Sequence, residues 1–357
     1  MNNRIKELDI LKGFGIFLMI IDHVYRGGGT ELTHYIHKYI QSFHMPLFFI
    51  ASGYLWKERP LADEIRKRFT SLIQPWLVFA LAYCCIWIAY GLAKGNFHSV
   101  VPNIRAILLF PTDMAHTKFA SPLWFLWCMF FTDILYSWLN RITKSKTAHG
   151  LIVATLAILG ILYSSVFSGP ILPLSIGPTM TAIVFFHAGD CCKNLVNRLR
   201  AMPVNKSALL LVFLLHALLV HINGCVDMRS TRYMFVPLYF INAIVGVFVW
   251  FQISRIVSAF NWARFSKLFT ELSTNSISYL CINSIIIRLA RKTCFLIAGF
   301  KSPIGGNMLN FFDVFVSMVA LASCCFATFL LIRLFPFALG RKRPGGHSPA
   351  LNSVNRT

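Results

Sequence analysis

A lysine and a histidine eleven residues apart, Lys12 and His23, lie inside the apolar run DILKGFGIFLMIIDHV, and a second histidine, His44, lies in FHMPLFFIASGYLW. Lipid penalises an ionisable side chain by a few kcal/mol or more, so such groups persist where the protein uses them. Eleven residues at about 100° each is roughly three helical turns, which puts Lys12 and His23 on one face about 16 Å apart. An imidazole titrates near neutrality and is the usual general base, suited to deprotonating a hydroxyl. His23 lies about three residues from one end of its segment and His44 about six from the matching end of the next. The two rings are expected at similar depth in antiparallel neighbours, within one polar pocket.

Near the other end of the first segment, Asp9 fits macrodipole compensation at a helix N-terminus, whereas Lys12 there is unfavourable unless it meets an anion. Arg66, Lys67 and Arg68 precede the third apolar segment and are expected on the same face as Lys12. Arg and Lys are the side chains that clamp phosphates. These groups imply a path from a phosphate-bearing ligand at Lys12 to an imidazole at His23.

The elements that must hold these groups are membrane helices. Of 357 residues, 56% are hydrophobic and 13% charged, against about 25% charged in soluble domains. Apolar runs near 10–26, 38–56, 72–93, 121–140, 150–168, 171–190, 207–224, 234–254, 272–297 and 309–335 predict an all-α polytopic bundle of about ten transmembrane helices. The first lacks a signal-peptide cleavage pattern and is expected to be retained. Residues 1–337 read as one transmembrane domain, and the Gly/Pro-rich 338–357 as a disordered tail. Ile104–Phe110 is too short to span and is expected in the interface or re-entering the bundle.

The net charge of +21 follows topology. With both termini cytoplasmic, Arg4, Lys6, Lys57, Arg59, Arg141, Lys144, Lys146, Lys193, Arg198, Arg200, Lys206, Arg255, Arg264, Lys267 and Arg341–Arg343 join the basic cluster on the inner side. Dispersed over short loops, they form no nucleic-acid face. Arg288, Arg291 and Lys292 are the exception, falling at the far end of the ninth segment. The ten cysteines have no metal-ligand or redox spacing and read as small apolar packing residues. No metal is expected. His187, His216 and His221 read as hydrogen-bond partners between helices.

These stretches resemble the membrane-bound acyltransferase-3 family, integral membrane O-acyltransferases of cell-surface polysaccharides. The match comprises Asp9-Ile10-Leu11-Lys12-Gly13 with His23, His44 to Phe49 with Ser52-Gly53, Arg68 to Pro75, and Leu123 to Leu126. Specific motifs are confined to the first 130 residues. Two departures stand out: the paired-arginine pattern before the third span has Ser71 after Arg68, and Asn283 stands where a late histidine is common. The resemblance implies transfer of an acyl group, acetyl in the family's usual case, from acyl-CoA on the cytoplasmic side to a hydroxyl of a cell-surface glycan or lipid-linked sugar precursor. His23 is then the general base or a transient acyl carrier, and His44 its assistant. Lys12, Arg66 and Arg68 meet the acetyl-CoA phosphates, and Asp9, Ser52 and Trp124 line the substrate path. A multi-pass enzyme of the bacterial inner membrane is implied. Small-residue packing explains Ser52-Gly53 equally well, and an interfacial anchor explains Trp124. The rival class is a transporter or flippase for a sugar or lipid-linked sugar, for which related halves with broken helices are the usual mark; no echo of Asp9–His23 occurs in the second half.

Overall fold

The computed structural model describes residues 5–25, 30–95, 97–98, 100–143, 145–165, 169–260, 263–299 and 307–341. Arg4, Lys144 and residues 342–357 of the expected tail 338–357, Lys342 and Arg343 included, lie outside the described residues. Sixteen α-helices run as α1 Lys6–Tyr25, α2 Glu31–Gln41, α3 His44–Leu55, α4 Leu61–Arg68, α5 Gln74–Lys94, α6 Val100–Leu109, α7 Met114–Thr117, α8 Trp124–Ile142, α9 Lys146–Ser165, α10 Ile176–Cys191, α11 Lys193–Ala201, α12 Lys206–Asn223, α13 Val236–Ala259, α14 Ala263–Thr274, α15 Ser276–Ile297 and α16 Asn307–Leu334. Among the described residues the only extended pairing is an isolated bridge between Asp227 and Arg232. The expected all-α bundle is therefore present. Among the described residues six helical stretches are long and apolar enough to cross a membrane, and leucines such as Leu210, Leu211 and Leu214 on α12 are exposed. This is an integral membrane protein whose outer helices present apolar side chains to lipid.

The expected second span is two helices. Pro46 has no N–H to give the Ser42 carbonyl, and the chain breaks at Phe43 (φ −140°, ψ −19°) before α3 begins at His44. The Ile40 carbonyl, which a continuous helix would pair with the His44 backbone, instead accepts from His44 Nδ1 at 2.9 Å. A second proline acts on the next element. Pro75 cannot serve the Ser71 carbonyl, and Phe69–Ile73 between α4 and α5 widens to a π-turn. Turns of this kind recur at functional sites.

The main apolar core surrounds α1, which packs on α2, α3, α13, α14, α15 and α16, and a smaller separate cluster joins Trp56, Tyr136, Leu139, Val153, Ile183 and Phe186. The α3–α10 seam is the closest packed. A Cβ at Gly53 would lie 1.9 Å from the Phe186 carbonyl oxygen, and one at Gly189 would lie 2.1 Å from that of Ile50. Ser52-Gly53 thus takes the packing role that small residues serve in membrane helices.

One end of the bundle is basic. Lys6 donates to the Ser258 carbonyl, Arg200 pairs with Glu7, Lys193 bonds the Trp56 carbonyl and Arg141 that of Arg59. A short 3₁₀ turn, Pro336–Leu339, closes this end, with Ala338 and Leu339 buried and Gln74 donating to the Phe337 carbonyl. The three cations of α15 lie toward the opposite end. Arg291 turns inward to the Val24 carbonyl and to Asp313 on α16, 3.1 Å away, whereas Arg288 and Lys292 are exposed.

Candidate active site

His23 and His44 line one small pocket of ≈ 40 Å³ between α1, the α2–α3 break and the start of α8, together with Met19, Gln41, Trp124, Asp227, Arg229 and Leu280. His44 is buried. Because a carbonyl only accepts, the bond to Ile40 fixes the proton on Nδ1 and leaves Nε2 of the neutral ring as the free acceptor.

Behind His23 lies Asp22, which the spacing argument passed over. Its carboxylate is wholly buried. His37 Nδ1 donates to Oδ1 at 2.6 Å, Gln41 Nε2 donates to Oδ2 at 2.6 Å, and His23 Nδ1 stands 3.9 Å from Oδ2. A carboxylate so enclosed is strongly unfavourable unless paired and hydrogen-bonded. The α2 partners supply this: His37 and Gln41, four residues apart, project from one face. A general base becomes an imidazolium during proton transfer, and a carboxylate at this distance is placed to stabilise that transient charge. An aspartate adjacent to the histidine was a visible signal, but only the fold of α2 onto α1 brings His37 to it.

Asn283, in the position where a histidine is common, donates to the Leu280 carbonyl at 3.0 Å and approaches the Met19 sulfur at 3.7 Å. It braces two wall residues from behind.

The basic end holds a second, larger cavity of ≈ 450 Å³, lined by Lys67, Thr70, Ser71, Thr274, Ser276, Ile277, Ser278 and Arg341 among others. Arg341 also donates to the Thr274 carbonyl and to Asn275 Oδ1, both at 2.9 Å. One helix serves both cavities: Ser278 lines this one and Leu280 the histidine pocket, about 3 Å further along α15.

The expected phosphate contacts are arranged differently. Lys12 lines neither cavity and lies 3.7 Å from Asp9 Oδ1, which also accepts from Ser273 Oγ at 3.4 Å. Arg66 is exposed. Arg68 is committed to carboxylates, with Nε 2.8 Å from Glu64 and the guanidinium paired with the buried Asp133 of α8. Among the basic residues before the third span, Lys67 is the one facing the cavity. Of the residues expected on the substrate path, Trp124 lines the histidine pocket and Ser52 does not. His216 bonds Ser42 and packs against Tyr39 and Phe43, and His187 bonds Tyr136, both as contacts between helices. His221 packs its ring against Tyr35.

Residues 5–332 match the family model described as an acyltransferase domain. The chain belongs to the acyltransferase-3 family. It is also 30% identical over 146 residues to nodulation protein NolL of Mesorhizobium japonicum, an alignment covering 38% of this chain and 35% of that relative. The chain thus spans about a third of the length of the curated relative it matches. No solved structure matches.

Proposed function

We propose that the protein transfers an acyl group, acetyl in the first instance, from acyl-CoA to a hydroxyl of a cell-surface glycan or its lipid-linked precursor in the bacterial inner membrane. The observation that carries this reading is the shared pocket of His23 and His44, with the Asp22 carboxylate behind the first ring. In this mechanism the imidazole nitrogen of His23 remote from Asp22 takes the acceptor's hydroxyl proton as its oxygen attacks the thioester carbonyl. The new C–O bond forms, the C–S bond breaks, and the thiolate leaves with the proton that His23 acquired. Asp22 stabilises the transient imidazolium, and His37 with Gln41 holds that carboxylate in place. His44, with Nε2 free to accept, orients the hydroxyl.

The donor enters from the basic end, read as the cytoplasmic side on the positive-inside bias. Lys12 and Arg66 supply the surrounding positive field and Lys67 and Arg341 the cavity contacts for its phosphates. Arg68 acts from behind, fixing α4 to α8. Positive-inside bias, the imidazole pair in one pocket and the family membership support this direction over a sugar carrier.

Purified protein with labelled acetyl-CoA tests the reading. Thioester hydrolysis or transfer is expected in the wild type and is expected to fall about 10²–10⁴-fold in His23→Ala. Undiminished thioester chemistry in that variant overturns the assignment of His23.

A further inference from the structure

We propose that the end of the bundle opposite Lys12 carries a cleft for one neutral sugar unit of the acceptor, set beside the histidine pocket and sharing Arg229 with it. This rests on the acyl-transfer reading and names where its acceptor docks. The cleft is a cavity of ≈ 290 Å³ between the end of α9, the start of α10 and the loops around Thr112 and Ser230. Ligand pockets run from about 300 to 1,000 Å³, so it suits a short unit rather than a long polymer segment.

Its wall has the chemistry of a polyol site. Five hydroxyl side chains line it, Thr112, Tyr163, Ser164, Ser230 and Thr231, with one arginine and no carboxylate or lysine. Four of these hydroxyls spend their proton within the protein: Tyr163 on the Pro170 carbonyl, Ser164 on that of Gly160, Ser230 on Asp227, and Thr231 on the Ser230 carbonyl. Each retains acceptor capacity. An array of acceptors without net negative charge complements the hydroxyl donors of a neutral sugar. Its one cation among the described lining residues, Arg229, is already engaged by protein oxygens.

Two ties join the cleft to the catalytic pocket. Arg229 lines both, and its guanidinium is held by the Pro111 and Asp113 carbonyls and the Thr117 and Ser121 hydroxyls. Ser175, beside the cleft, donates to the carbonyl of Trp124, a wall of the pocket, at 2.9 Å. The backbone here is held in costly conformations. Leu174, Ser175, Thr231 and Met234 have φ of 49°, 62°, 56° and 55°. Non-glycine residues at positive φ cost of order 1–3 kcal/mol each and cluster at ligand sites.

The test blocks the cleft in the folded protein. A Cβ at Gly177 would sit 3.7 Å from Thr231 Cγ2, leaving space for a cysteine. Gly177→Cys, and independently Met114→Cys on the facing wall, are labelled with a bulky methanethiosulfonate in membranes of producing cells, with wild-type protein treated in parallel. Labelled acetyl-CoA then gives two readouts, thioester hydrolysis and label in carbohydrate. The ratio of carbohydrate label to hydrolysis is expected to fall at least about tenfold on modification, relative to treated wild type. Complete modification with an unchanged ratio, or a proportional fall in both readouts, overturns the cleft. Absence of both activities in untreated wild type instead removes the acyl-transfer reading on which the cleft depends.

Discussion

His37 reaches Asp22 with a 2.6 Å hydrogen bond between Nδ1 and Oδ1, binding a side chain of the short helix α2 to a wholly buried carboxylate on α1. The same carboxylate stands 3.9 Å from His23 Nδ1. The α2 side chains therefore set the charge environment of the candidate base, and Gln41 also lines its pocket.

Asp22→Asn keeps the size of the side chain and removes its charge. Transfer is expected to fall about 10²–10⁴-fold, as for loss of general-base assistance, with the KM for acetyl-CoA little changed. His37→Gln is expected to fall between this variant and wild type. Steady-state kinetics on purified protein check both, and wild-type turnover in Asp22→Asn removes that carboxylate from the chemistry.

His44→Leu removes one donor on the Ile40 carbonyl at the break between α2 and α3, which also accepts from the Phe43 N–H at 3.3 Å. Losing a hydrogen bond whose acceptor keeps a partner costs about 0.5–1.5 kcal/mol, so thermal unfolding in detergent is expected to move down modestly together with activity. An unshifted Tm confines His44 to chemistry alone.

Arg68→Ala strands the buried Asp133 and part of the Glu64 pairing. Removing one partner of a buried ion pair costs about 3–5 kcal/mol. The double variant Arg68→Met with Asp133→Leu is expected to regain most of that stability, since it leaves no uncompensated charge on α8. A double-mutant cycle by denaturation reads the coupling, and additive effects contradict it.

Gly53→Val drives a side chain into the Phe186 carbonyl of α10, where even a Cβ would stand 1.9 Å away. Overpacking typically costs about 1–3 kcal/mol, and backbone facing backbone has little room to yield. Loss of monodisperse protein on size-exclusion chromatography is the expected result, and a Gly53→Val protein as stable as wild type refutes the α3–α10 seam.

That the chain is an all-helical membrane bundle was legible because lipid imposes long apolar runs, and a run carries that signal locally. The count was not, since about ten spans were expected, six stretches among the described residues are long and apolar enough to cross, and the expected second span is two helices. The pairing of His23 with His44 was legible for a related reason: two adjacent helices in a bilayer have few ways to align, so residue counts translate into depth. Local proline chemistry was written as clearly, yet its outcome depended on partners. Pro46 breaks the second span and Pro75 widens the turn before α5 because each withholds one N–H.

Residue types and spacing by themselves determined a membrane bundle with a basic end and two imidazoles at matched depth. Tertiary structure alone decided that His37 and Gln41 hydrogen-bond Asp22, that Arg68 pairs with Asp133, and that Lys67 and Arg341 face the basic-end cavity. The physical reason is that a buried charge must find its partner wherever the fold supplies one. Glu64 is a local partner of Arg68, four residues away on α4, but His37 and Gln41 lie 15 and 19 residues from Asp22 and Asp133 lies on another helix, beyond the reach of any local pattern.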